Sequence, residues 1–233
     1  MTPVRTRKSL SALIRSHERI APLFPLEILR TPPLRFDFSK TNPAIQHVDM
    51  NVVGDLKKVV ESELRKAKRS WGFGGWGEDR FFYKSSDLFK DGDGYRTVHL
   101  GIDIWLPPGT PLYAPIPGRV HSFQNNQNFL DYGPTVITEH IIQDTPFYIL
   151  YGHLSTESLS RLSEGKILES GDRVAKIGTE QENGSWPSHV HLELITDIQD
   201  KKGDFVGTAK PSQKKEYLDL CPDPEVLLER FMF

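Results

Sequence analysis

Two short stretches decide how this chain is read: Thr97-Val98-His99-Leu100-Gly101-Ile102-Asp103-Ile104 and His189-Val190-His191-Leu192-Glu193. Both are rich in strand-forming residues. Side chains alternate faces along a strand, so His189 and His191 share a face, and so do His99 and Asp103. Four residues of extended strand span about 13 Å. His99 and Asp103 can therefore meet at one ion only if the chain curls between them, and Gly101 permits that. A third element, Tyr151-Gly152-His153-Leu154-Ser155, puts His153 at the end of another predicted strand. An H-x-x-x-D spacing by itself is weak, and an H-x-H on a strand is only suggestive. Together they offer imidazole and carboxylate donors, with no thiolate partner set because Cys221 is the single cysteine. That donor set suits Zn²⁺ with three protein ligands and one position open to water. His17, His47, His121 and His140 read as ordinary surface or core histidines.

Outward from these stretches the pattern remains one of short strands. Residues 97–104, 111–114, 118–123, 134–142, 146–153, 173–177 and 189–196 are candidates. Turn signals such as Pro107-Pro108-Gly109, Pro117-Gly118, Gly171-Asp172 and Asn183-Gly184 separate them. This rhythm predicts an antiparallel β domain, a barrel or a sandwich. Upstream, Val52, Leu56, Val59, Val60, Leu64 and Ala67 recur at helical spacing and predict a helix over 52–70, with Asn51 as N-cap. Prolines 22, 25, 32, 33 and 43 predict an irregular arm over 21–50. Trp71-Gly72-Phe73-Gly74-Gly75-Trp76-Gly77 reads as a tight turn with two aromatics in the core, ahead of the alternative of a mobile loop over a cleft. Pro222 to Phe233 reads as a short terminal helix.

Composition bounds the function. The chain has 233 residues, 29 basic and 31 acidic, for a net charge of −2. A chain of this length buries a core without disulfides, and near-neutrality excludes a polyanion-binding field, so no nucleic-acid partner is expected. The start is basic, with Arg5, Arg7, Lys8, Arg15 and Arg19, but the apolar run from Leu10 to Ile14 ends at Arg15. A secretory signal needs about 7–15 apolar residues, and a membrane span about 20. The expectation is a cytoplasmic protein with no membrane partner, whose first residues form a solvated amphipathic helix.

The order H-x-x-x-D, Tyr-x-His-Leu-Ser, H-x-H resembles the lysostaphin/LytM-type zinc endopeptidases. Gly109-Thr110-Pro111-Leu112-Tyr113-Ala114-Pro115 and Ser170-Gly171-Asp172-Arg173-Val174-Ala175-Lys176-Ile177-Gly178 are similar to that family's core, so the resemblance covers about 95–197. It implies a mainly β, antiparallel duplicated-hybrid-motif domain over 95–233, preceded by a 1–94 extension with one or two helices. It further implies zinc as cofactor, His99, Asp103 and His191 as its ligands, and His153 and His189 as the catalytic pair, with His189 the base and His153 the stabiliser. Glu193 can orient an imidazole, although a surface strand glutamate is the plainer reading. The chain departs from the family at Glu182-Asn183-Gly184-Ser185-Trp186-Pro187-Ser188, which brings Trp186 near the mouth of the site. More loosely, the run Arg96-Thr97-Val98-His99-Leu100-Gly101-Ile102-Asp103 and residues 77–80 resemble peptidase-like modules fused to class III aminotransferases.

Three functions compete at this level. The first is a zinc metallopeptidase acting on a peptidoglycan-like peptide or a small amide. The second is a catalytically silent metal- or ligand-binding module of the same fold with a cytosolic metabolic role. The third is a carrier or phosphoryl-transfer protein, which Asp103 weighs against.

Overall fold

The β-branched and aromatic runs between residues 98 and 195 pair mainly into one sheet. The computed structural model describes residues 9–232, so Arg5, Arg7 and Lys8 of the basic start lie outside the described residues. The sheet has eight strands in the spatial order Leu34–Arg35, Gly72–Gly74, Ile102–Trp105, His189–Ile195, Thr145–Gly152, Gly133–Ile142, Gly118–Asn126 and Ile167–Leu168. The first pair is parallel and every other neighbouring pair is antiparallel. Smaller antiparallel pairs join Pro111–Tyr113 to Arg173–Lys176 and Val98–His99 to Thr208–Ala209. The molecule is thus mainly β and mostly antiparallel, as the turn rhythm predicts.

Period-two alternation sorts the central strands. Ile102, Ile104, Val190, Leu192, Leu194, Ile149 and Tyr151 enter the main apolar core. Each such side chain, fully buried, stabilises the fold by roughly 1.5–3 kcal/mol. The same core takes Leu10, Leu13 and Ile14 from the helix Leu10–Ser16. A second apolar cluster forms where residues 36–89 cover the sheet: Phe36, Phe38, Leu56, Val60, Phe82 and Tyr83 pack with Trp105 and Trp186.

Four local expectations change. The single strand expected over 97–104 is two, Val98–His99 and Ile102–Trp105, because the Leu100 N–H turns away to the Gly207 carbonyl. Gly72–Gly74 is a strand rather than a turn. A Cβ on Gly72 or Gly74 would lie 2.6–2.7 Å from the Leu34 or Phe36 carbonyl oxygen, so these glycines admit the neighbouring strand. Trp71 and Phe73 are buried as expected. The helix runs Asp55–Ala67 and is entered through Gly54 at φ 89°, so Asn51 is not its cap. Among the described residues of the terminal segment the only helical element is a 3₁₀ turn, Pro224–Leu227, while an unanticipated helix spans Lys214–Leu220. No helix among the described residues is long and apolar enough to cross a membrane.

Candidate metal centre

Strand register builds the site. Asp103 lies directly opposite His191 on the neighbouring strand, and Trp105 opposite His189. On the other side of His191 stands Gly152, the last residue of its strand. Since Ile104, Val190 and Leu192 face the main core, Asp103, His189, His191 and Glu193 project from the opposite face. His99 arrives from the separate strand Val98–His99. The break between the strands is the local curl that Gly101 permits. A Cβ on Gly101 would press on the Leu192 carbonyl oxygen and lie 2.7 Å from two atoms of the His191 ring. Gly101→Ala is therefore expected to weaken metal binding between these strands by roughly tenfold or more and to destabilise the metal-free chain by about 1–3 kcal/mol. Chelator competition and urea unfolding read the two effects.

His153 follows its strand in the left-handed region, at φ 61°. For a non-glycine residue this conformation costs of order 1 kcal/mol and persists only where surroundings enforce it. Here the His153 N–H donates to the Tyr132 carbonyl at 2.8 Å, and the Gly178 N–H donates to the His153 carbonyl at 2.9 Å.

Three donor atoms converge. His99 Nε2 and His191 Nδ1 are 2.9 Å apart, and Asp103 Oδ1 lies 3.3 Å from the first and 3.2 Å from the second. Zinc–nitrogen bonds of about 2.0–2.1 Å put tetrahedral corners about 3.4 Å apart. Spacing and donor chemistry both fit a zinc ion bound at three corners. The outer atoms of the ligand set are also held. His99 Nδ1 donates to the Gly75 carbonyl at 3.2 Å, and His191 Nε2 lies 3.3 Å from Glu193 Oε2. Such partners fix the tautomer that presents the other nitrogen inward. The same device recurs in the other two histidines, whose Nδ1 atoms donate to the Pro187 carbonyl (His189, 2.6 Å) and the Asn183 carbonyl (His153, 3.0 Å). Each keeps its Nε2 lone pair, and the two rings sit 4.3 Å apart between centroids.

Burial and charge set the protonation states. Burial opposes ionisation of Asp103, but His99 and Arg80 outweigh it and hold the carboxyl well below its ordinary range. Burial, with Arg80 nearby, pushes His99 down to about 3. His153 is driven well below the ordinary histidine value by burial, and His189 and His191 add to the effect. His191 goes the other way: burial pulls it down, but hydrogen bonds to Asp103 and Glu193 carry it up to about 9.

All five residues line one cleft of about 340 Å³, alongside Trp186 and Tyr83. Trp186 is a wall, not a surface residue: it is buried, with its indole N–H donating to the Asp131 carbonyl at 3.2 Å. Tyr83, Leu88 and Phe89, all from before residue 95, complete that wall. Glu193 is fully buried, which overturns its reading as a surface glutamate. Its strand is central, and no single-strand pattern reveals that. The sequence places Arg80 in the resemblance over residues 77–80 but gives it no role at this site, since no ligand spacing links it to Asp103, 23 residues on.

A sequence profile of peptidase family M23 matches residues 97–213, half of the chain. The chain belongs to peptidase family M23. Members of that family are zinc metallopeptidases, in keeping with the donor set of this M23 chain. Among solved structures, it is similar to a zinc containing peptidase from Vibrio cholerae at 22% identity, over 45% of this chain and 29% of that one, with a TM-score of 0.35. It thus spans under a third of that relative's length. A variant of the catalytic domain of the prophage-encoded M23 protein EnpA from Enterococcus faecalis shares 26% identity, over 55% and 86% of the two chains, with a TM-score of 0.36. The catalytic domain of lysostaphin from Staphylococcus simulans shares 16%, over 65% and 93%, with a TM-score of 0.40. No curated protein matches this M23 chain.

Proposed function

We propose that the chain is a zinc-dependent metallopeptidase, an amide hydrolase in which His99, Asp103 and His191 hold the metal and His153 and His189 handle the proton. The observation that carries this reading is the convergence of His99 Nε2, His191 Nδ1 and Asp103 Oδ1 within 2.9–3.3 Å of one another in a cleft also lined by the other two histidines. Zinc held there supplies Lewis acidity and a water whose pKa falls toward about 7.

The remaining steps belong to the side chains. His189 Nε2 bears a lone pair and lies 3.5 Å from Asp103 Oδ1. It accepts the water proton and passes it to the leaving amine nitrogen as the C–N bond breaks. His153 stabilises the oxyanion of the tetrahedral intermediate through a proton that its Nε2 takes up from solvent as the oxyanion forms. Since Nδ1 already donates to Asn183, that form is an imidazolium, which burial disfavours until the oxyanion itself supplies negative charge. The interaction is then stronger in the transition state than in the ground state, as catalysis requires.

The substrate class is a peptide, of the peptidoglycan type, or a small amide. Residues 95–233 form the peptidase domain in this reading, and the 1–94 extension contributes the aromatic wall of its cleft. The test is hydrolysis of short peptides by the full chain carrying one equivalent of zinc, followed by mass spectrometry. Cleavage abolished by chelator and restored by zinc is expected. Stoichiometric zinc without turnover of any peptide or amide would instead establish the silent binding module.

A further inference from the structure

Arg80 is almost entirely buried, at 2% exposure. Its Nη1 donates to Asp103 Oδ2 at 2.6 Å and to the Tyr83 hydroxyl at 2.8 Å, and its Nε donates to Glu78 Oε2 at 2.9 Å. Glu78 is held in turn, its Oε1 accepting from the Phe38 N–H at 2.7 Å. The rings of Phe38 and Tyr83 flank the guanidinium at 5.4 and 5.7 Å. Gly75, at φ 118°, leaves the space this fork needs, for a Cβ there would lie 2.5 Å from Arg80 Nη2 and closer still to Glu78 Oε2. The same Gly75 carbonyl accepts from His99 Nδ1. One short segment before the M23 match therefore braces two of the three proposed ligands.

The consequence for Asp103 is specific. Its Oδ2 is committed to Arg80, whereas Oδ1 faces His99, His189 and His191. We propose that Arg80 is a positioning residue that restricts Asp103 to one ligating oxygen and neutralises its charge. The site then stays three-coordinate in protein ligands and strongly electrophilic. A carboxylate freed from Arg80 has two oxygens and an uncompensated charge, so it would hold a divalent cation through both, adding a fifth donor beside the water and weakening the polarisation of that water. This inference rests on Asp103 being a metal ligand, and the experiment separates the two claims.

The experiment loads the full chain with Co²⁺, whose visible absorption weakens several-fold as coordination rises from four to five, and measures zinc affinity by chelator competition. In Arg80→Met, weaker cobalt absorption is expected with zinc affinity equal to or up to about tenfold above that of the parent, because the second carboxylate oxygen offsets the loss that removing an outer hydrogen-bond partner otherwise causes. Arg80→Lys keeps the charge but is too short to hold Glu78 and Oδ2 together, and its cobalt spectrum is expected to move the same way. Where Arg80→Met fails to fold because Glu78 is stranded, Glu78→Gln combined with Arg80→Met removes both charges. Should that fail too, the Arg80→Lys spectrum decides. An unchanged cobalt spectrum in Arg80→Lys, or a loss of zinc affinity in Arg80→Met, overturns the proposal. Asp103→Asn binding cobalt with the parent's spectrum and affinity would overturn the ligand assignment itself.

Discussion

Asp103→Ala is expected to lose zinc and stability together, whereas His99→Ala loses zinc with a smaller loss of stability. The difference follows from what each side chain leaves behind. Removing Asp103 strands the Arg80 guanidinium, which is buried and already has one unpartnered nitrogen, Nη2. Breaking a buried ion pair by deleting one partner costs about 3–5 kcal/mol. Glu78 still pairs with Arg80, so the lower end of that range applies. His99 has no charged partner that burial would then penalise, apart from Asp103, which Arg80 continues to balance. Zinc affinity should fall in both variants by more than the roughly 10–100-fold that outer hydrogen-bond partners are worth. Chelator competition reads the affinity, and urea unfolding of the metal-free chains reads the stability. One equivalent of zinc bound as tightly in either variant as in the parent contradicts the ligand set.

His153→Asn and His189→Gln are expected to show the reverse pattern, with zinc retained and turnover lost. General acid–base groups contribute about 10²–10⁴-fold to rate, so kcat should fall by that range while the zinc content stays at one equivalent. Asparagine is the choice at 153 because φ is 61° there and asparagine tolerates the left-handed region better than most residues. Alanine would add a backbone penalty to the chemical one. Metal loss in either variant would move that histidine into the ligand set.

Much of this site is legible in the chain itself. His99, Asp103, His153, His189 and His191 are grouped by order and spacing, and the fold brings all five around one cleft. The reason is local: period-two alternation puts His189 and His191 on one face whatever the surroundings, and Gly101 marks where the chain departs from a strand. The role of Arg80 was not legible, because the contact that gives it that role crosses between segments with no shared period. Glu193 shows an intermediate case. Its face follows from His191 by counting two residues, but its complete burial depends on the strands and loops packed around it.

The division between local and tertiary information is therefore physical. Amino-acid order alone determined most of the central strands, many of the turn positions, the donor types and the shared face of His189 and His191, since these follow from backbone geometry over a few residues. Only the tertiary structure decided that Val98–His99 and Ile102–Trp105 separate, that Asp103 stands opposite His191, and that residues 75–89 close over the cleft. Those outcomes depend on sheet register and on which apolar surfaces find each other, terms summed over contacts far apart in the chain. The two opening stretches thus specify the donors, and the packing of the whole chain brings their donor atoms to within 3.3 Å of one another.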